Sequence, residues 1–181
     1  MDKFIIKPLT EADAAMLCKM SIETFVDTYA VYNTEENMQL HLQRHFNQEK
    51  LLSELQNKTN YFFAVFDNEH PAGYVKLRTG KENPEELEGR KHIELERIYA
   101  VKTCQGMGLG SKMIQYCIDF ASVKGYEVLW LGVWNQNVEA FQFYKKRGFE
   151  IFGEHIFMLG TDVQTDWLMK KELNPLKPFG Q

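Results

Sequence analysis

Apolar positions along the chain change period several times, and each change marks an element. Phe4–Lys7 is a short apolar run that predicts a strand. Thr10 follows as an N-cap with Asp13 three positions on, where a capping box prefers Glu or Gln. Ala14, Leu17, Cys18 and Ile22 then recur at helical spacing, which predicts a helix from Glu11 to about Tyr29. A second helix is predicted after Thr34 on Met38, Leu42 and Phe46, and a third over Glu49–Gln56 on Leu51, Leu52 and Leu55. At Asn60 the pattern turns aromatic. YFFAVFD, the turn signal DNEHPAG and the run Gly73–Arg78 predict an antiparallel hairpin. The polar loop GKENPEELEGRK leads to a strand over about His92–Val101.

The second half alternates helix and strand. A glycine turn opens a predicted helix over Gly108–Lys124, with Met113, Cys117, Phe120 and Ala121 on one face and Gly125 at its end. VLWLGVW is continuously apolar, as a strand covered on both faces is. Asn137–Arg147 reads as a helix with Asn137 as N-cap and Gly148 at C′. Two strands, about Phe149–Leu159 and Thr165–Lys171, complete a mixed α/β (α+β) chain with one clear βαβ unit. Residues 1–172 are expected to form a single domain. Residues 173–181, ending NPLKPFGQ, read as a tail without periodicity.

Composition narrows the function classes. The 181 residues suit one domain, and the hydrophobic share of 44% against 25% charged is an ordinary globular balance. Lys+Arg 21 against Asp+Glu 25 leaves a net charge of −4, which argues against a nucleic-acid partner. No apolar run is long enough for a bilayer, and MDKFIIKPLT is too short an apolar stretch for a signal peptide. A cytoplasmic protein without a membrane partner is expected. Cys18, Cys104 and Cys117 are odd in number and lack metal-ligand spacing. His41 and His45 lie four apart but lack the Glu of H-E-x-x-H, so no metal is expected and both read as exposed or helix-packing.

The segment from Ile98 to Lys112 carries the strongest chemical signal. Gly106, Gly108 and Gly110 alternate between a strand and a helix start. Glycines there let the backbone approach a ligand, and the helix adds free N–H groups and its positive dipole end. Such a place suits a phosphate or pyrophosphate. The order Gly110-Ser111-Lys112 does not make a Walker loop, and Ser111 stands where a dinucleotide fingerprint needs its third glycine. A merely tight strand-to-helix turn is the alternative reading.

Gln105-x-x-Gly108-x-Gly110, followed at family spacing by Asn137-x-x-Ala140-x-x-Phe143-Tyr144-x-x-x-Gly148-Phe149, resembles the two signature blocks of the GNAT superfamily of N-acetyltransferases. The resemblance implies a central, mostly antiparallel mixed sheet with helices on both faces. It implies that His92–Val101 and Val128–Trp134 splay apart to admit acetyl-coenzyme A. Gly106, Met107, Gly108, Leu109, Gly110 and Ser111 would cradle the pyrophosphate. The main chain of Ile98, Tyr99 and Ala100 would pair with the pantetheine arm, Asn137 would contact the same arm, and Tyr144 would sit beside the thioester sulfur. SIETFVDTY, IELERIY and LGVWNQN are similar, more narrowly, to the bacterial PaiA-type polyamine N-acetyltransferases. That implies spermidine or spermine as the small-molecule acceptor. Homodimers are common in the superfamily, though no surface in this sequence identifies an interface.

Acetyl transfer to an amine needs a base for the amine, stabilisation of the carbonyl oxygen, a proton for the leaving thiolate and alignment of the reactants. Glu94 and Glu96, two apart on a strand, share a face and are base candidates, with an upward pKa shift expected from half-burial. The alternative is that they form the solvent-facing half of a strand whose Ile93, Leu95 and Tyr99 point inward, with Arg97 on the face opposite the glutamates. Tyr144 is the acid candidate, since a phenol is protonated at neutral pH. The alternative is a core tyrosine. Cys104 reads as a small residue at a strand end rather than a nucleophile, and Trp130 and Trp134 share a face that could border the cleft. Glu82, Glu85, Glu86 and Glu88, and the pair Glu23 and Asp27, are candidates to attract a polycation. Another amine acceptor, or a non-catalytic acyl-CoA sensor, remain the competing readings.

Overall fold

The computed structural model describes residues 3–80 and 84–174. Seven strands form one sheet in the order β1-β2-β3-β4-β5-β7-β6. They are β1 (Phe4–Pro8), β2 (Asn60–Asp67), β3 (His70–Arg78), β4 (His92–Ala100), β5 (Val128–Trp134), β6 (Glu150–Leu159) and β7 (Asp162–Glu172). Every neighbouring pair is antiparallel except β4–β5, the only connection that needs a helical crossover. Helices α1 (Ala14–Tyr29), α2 (Glu35–His45) and α3 (Gln48–Gln56) cover one face. Helices α4 (Leu109–Val123) and α5 (Val138–Lys145) cover the other.

Coverage on both faces explains the continuous apolar runs. Along β2, Phe63 and Val65 enter the core under α4, while Phe62 and Ala64 enter the core under α1 and α3. Leu109, Met113, Ile114, Cys117 and Ala121 bury one side of α4. Cys104 is buried in the same core. The buried side of α1 differs from the expected one. Leu17, Met20, Ser21, Thr24 and Phe25 face the sheet, whereas Ile22 is exposed. Two hydroxyl residues hide the true stripe. Thr24 fits there because its hydroxyl donates to the carbonyl of Met20 at 2.8 Å. The first turn, Glu11–Asp13, is a 3₁₀ turn, and the Asp13 carboxylate accepts from the Thr10 N–H at 2.8 Å. His41 packs in the helical layer, its ring stacked 4.4 Å from Phe25. Leu173 is buried at the end of β7, so the core extends into the predicted tail; residues 175–181 and Glu82 lie outside the described residues.

The register of β3 on β4 slips once. Lys76 faces Arg97 and Leu77 faces Leu95, which leaves Glu96 as the extra residue of a bulge. The bulge inverts side-chain parity, so Ile93 and Leu95 share a face with Ile98 and Ala100 rather than with Tyr99. It also brings Arg97 beside the glutamates: its Nη2 lies 3.4 Å from Glu96. This corrects the placement of Tyr99 and Arg97 that uninterrupted alternation predicts.

Around the bulge sits a buried charge cluster. Glu54 of α3 accepts from Lys76 at 2.9 Å and from Arg97 at 2.9 and 3.2 Å. Glu96 meets Lys76 at 2.8 Å and Arg78 at 3.0 Å, and Glu94 takes Arg78 in a two-point pair at 2.5 and 3.0 Å. Removing one member of such a set leaves a buried charge uncompensated. Burial acts to raise the Glu54 and Glu96 pKa values, but the neighbouring cations outweigh it and hold both below the ordinary 4.5, Glu96 at about 2. Their contribution to stability is therefore complete above pH 4.5 and is lost as pH falls toward 2. We predict that Glu54→Gln destabilises the fold by about 3 kcal/mol in urea unfolding at pH 7. A loss below about 1 kcal/mol would show that the cluster does not brace β3 and β4 to α3.

Candidate active site

The site begins where a ladder stops. β4 and β5 pair through His92–Val128, Ile93–Leu129 and Glu94–Trp130, and beyond those pairs the strands part. From Leu95 onward β4 pairs only with β3, and from Leu131 onward β5 pairs only with β7. The bulge at Glu96 falls at the point of separation, as expected of a device that bends one strand away from its neighbour. A cleft of about 170 Å³ fills the gap. Its walls include the β4 segment Leu95–Ala100, Gly132 to Trp134 of β5, Tyr29 of α1, and Asn137 and Tyr144 on the other side of the sheet. Beyond Glu94 this edge of β4 has no strand partner, so an extended chain can pair with the backbone groups that face it.

The glycine turn lies at one end of the cleft. Gly106 and Gly108 have φ of 75° and 79°, values that cost a residue with a Cβ about 1–2 kcal/mol. A Cβ at either position would meet open space, so the turn presents bare main chain outward. Among the described residues, the N–H groups of Gly106 through Ser111 donate to no protein acceptor. Leu109 anchors the turn in the core while Met107 is exposed at its tip. Gly110 allows the ring of Phe143 to approach within 3.3 Å of where its Cβ would stand, locking α5 against α4. Bare N–H groups at a helix start fit a pyrophosphate. Arg147, which enters the sequence reading only as the end of a predicted helix, donates to the Ser111 hydroxyl and stacks 3.6 Å from the Phe143 ring centre. Its charge therefore stands beside the cradle.

Asn137 caps α5: its side-chain carbonyl accepts from the Ala140 N–H at 3.0 Å, and its NH₂ remains a donor at the cleft wall. Tyr144 is buried at the cleft, its pKa raised by burial and by Tyr29 and Cys117, so its hydroxyl keeps a proton at neutral pH. Burial also raises Tyr29 and Tyr99, whose hydroxyls share a hydrogen bond. Trp134 borders the cleft against Tyr29 and Tyr32, whereas Trp130 is core and donates to His92 at 3.1 Å.

The two glutamates separate. Glu96 lines the cleft, while Glu94 is held by Arg78 where β4 and β5 are still paired. The upward shift expected of Glu96 is reversed: burial favours it, but Arg97, Lys76 and Arg78 together bring its pKa down to about 2. Glu23 and Asp27 are both exposed on α1. Among the described residues, no three His, Cys, Asp or Glu side chains are grouped to hold a metal, and no helix is long and apolar enough to cross a membrane.

A parallel strand pair that opens beside bare N–H groups, with a tyrosine hydroxyl at the gap, is the arrangement that the resemblance to the N-acetyltransferases implies for a site that takes an acyl group from a coenzyme A thioester. Residues 22–149 match the model of the acetyltransferase (GNAT) family, and the chain belongs to that family of acetyl-CoA-dependent N-acetyltransferases. It is 39% identical over 172 residues to an uncharacterized N-acetyltransferase in the pepI 3′ region of Lactobacillus delbrueckii subsp. lactis, covering 93% of this chain and 96% of that one. Its fold is similar to the crystal structure of PaiA N-acetyltransferase from Thermoplasma acidophilum in complex with coenzyme A. That likeness has a TM-score of 0.75 at 23% identity and covers 93% and 98% of the two chains. It is also similar to a chimera of the spermidine N-acetyltransferase SpeG from Vibrio cholerae and hSSAT, with a TM-score of 0.69 at 18% identity over 94% and 96% of the chains.

Gly108→Val should weaken acetyl-CoA binding at least tenfold by titration calorimetry, since its side chain would project into the cradle. Unchanged affinity in a folded variant would contradict the cradle. Arg147→Met should weaken acetyl-CoA several-fold while leaving acetyl-pantetheine, which has no pyrophosphate, unaffected. Equal loss for both would place Arg147 outside the phosphate contacts.

Proposed function

We propose that this enzyme moves the acetyl group directly to a primary amine of a small polyamine, spermidine or spermine, with Tyr144 as the acid for the leaving thiolate. The observation that carries direct transfer is the continuity of the cleft. It joins the cradle side, where Tyr144 and Asn137 stand, to the α1 side, where Thr28 and Tyr29 stand, so donor and acceptor can meet from opposite faces of the sheet. Cys104, buried in the core, does not line this cleft, which agrees with a reaction that has no acetyl-cysteine step.

Tyr144 supports the acid role in two ways. It reaches the cleft from α5, and burial keeps its hydroxyl protonated at neutral pH, so a proton is present where the leaving sulfur would need one. Glu96 supports the reaction differently from a free base. Ionised and gripped by three cations, it fixes the bulge. Glu94 braces the last paired rung. The polyamine reading draws on the sequence blocks described above and on the exposed carboxylates Glu23 and Asp27 on α1, the helix that supplies Tyr29 to the cleft.

Thiol release from acetyl-CoA, measured with spermidine, spermine, short diamines, a lysine peptide and an aminoglycoside, tests the acceptor. Turnover concentrated on the polyamines is the expected outcome. Turnover confined to another amine would overturn the polyamine while keeping direct transfer. Tyr144→Phe should lower kcat about 100-fold with acetyl-CoA affinity unchanged. An unaltered kcat would remove Tyr144 as the acid.

A further inference from the structure

Direct transfer requires a group that takes the amine's proton, and the glutamates of β4 are engaged elsewhere. Glu94 is paired with Arg78 away from the cleft, and Glu96 is surrounded by Lys76, Arg78 and Arg97. A different carboxylate packs against the β5 wall of the cleft. Asp166 of β7 lies opposite Trp134 of β5, and its Oδ2 is 3.3 Å from the point that a Cβ on Gly132 would occupy. Gly132 and Trp134 both line the cleft, so the missing side chain at position 132 makes room for this carboxylate on the α1 side of β5. We infer that Asp166 is the residue that receives the acceptor's ammonium group and takes its proton. The inference rests on the reading of this cleft as a site of acetyl transfer to an amine.

Its surroundings suit that task. Among the described residues, no side chain hydrogen-bonds or ion-pairs with the Asp166 carboxylate, in contrast to Glu54, Glu94 and Glu96. The titratable groups that face it are Tyr29 from α1, whose own ionisation Asp166 opposes, and His155, its register partner on β6. Tyr29 in turn shares a hydrogen bond with Tyr99 and is electrostatically coupled to Tyr144; these three hydroxyl residues line the cleft, and Asp166 packs directly behind its Gly132–Trp134 wall. Burial raises the Asp166 pKa to about 6, with His155 pulling slightly the other way. The group is thus ionised at neutral pH and a far better proton acceptor than Glu96. An unpaired carboxylate raised from 3.8 also weakens the fold as pH climbs through 6, a cost without structural return.

The step balances as follows. An ammonium proton passes to the Asp166 carboxylate, and the freed nitrogen lone pair forms the C–N bond to the thioester carbonyl carbon. The C–S bond breaks with its electron pair on sulfur, and the thiolate takes the Tyr144 hydroxyl proton. The second nitrogen proton returns to the Tyr144 oxygen, and Asp166 releases its proton to water. The products are the N-acetyl amine, coenzyme A thiol and one proton.

Asp166→Asn in the full chain tests the assignment, because it keeps the shape and removes the base. With whichever amine of the panel turns over, wild-type kcat/KM should rise through about pH 6. The variant should lose at least 100-fold and that limb, keep its acetyl-CoA affinity, and melt higher than wild type at pH 8. Activity within threefold of wild type with the limb intact would overturn the inference. If only a non-polyamine turns over, the polyamine reading fails and this comparison is made on that amine. A second readout needs no turnover. The carboxyl-carbon NMR signal of Asp166 in the free protein should titrate near 6 and move when spermidine or ethylamine is added. Titration near 3.8, unmoved by either amine, would overturn it on its own.

Discussion

Everything at the site follows from one interrupted ladder. β4 and β5 are the only parallel neighbours in the sheet, and their pairing ends at Glu94 and Trp130. The extra residue at Glu96 bends β4 there, and the buried cluster of Glu54, Glu94 and Glu96 with Lys76, Arg78 and Arg97 holds the bent strand to β3 and α3. Buried charges are a poor means of adding stability, but they accept few alternative arrangements. In this chain they fix the geometry of an opening.

The two ends of the opening use different chemistry. At the glycine turn, the proposed pyrophosphate cradle, what is offered is main chain: positive φ at Gly106 and Gly108 turns the backbone, and among the described residues the first N–H groups of α4 have no protein acceptor. Side-chain identity matters little there, apart from the charge that Arg147 adds beside Ser111. At the reacting end, side chains dominate. Tyr144, Tyr29 and Tyr99 are protonated hydroxyls kept so by burial, while Asp166 and Glu96 are carboxylates with opposite surroundings. Three cations make Glu96 an anchor. Among the described residues no side chain pairs with Asp166, which suits the proton exchange inferred for it.

Much of this was legible in the sequence. The order of elements followed from apolar periodicity, because strands covered on both faces and amphipathic helices have distinct patterns. The glycine turn was visible because three alternating glycines exceed what a tight turn needs. What escaped was anything that depends on a local break in period. IELERIY contains no Gly or Pro to announce a bulge, so counting by twos put Tyr99 on the wrong face and separated Arg97 from Glu96. The buried face of α1 was misplaced for a related reason: Ser21 and Thr24 are polar by type yet buried. Asp166 was hidden as one acid in a strand of mixed character. The available signal was Gly132 inside VLWLGVW, since a glycine within a buried strand marks a close approach by another group.

The most direct test of the interrupted ladder is amide hydrogen exchange on the full chain with and without acetyl-CoA. The account predicts that the ligand slows exchange at residues 96–100 on the open edge of β4 and at Gly106–Ser111, and leaves the already paired β2 unchanged. Bound acetyl-CoA that protects neither segment would contradict a cleft formed by the parting of β4 and β5.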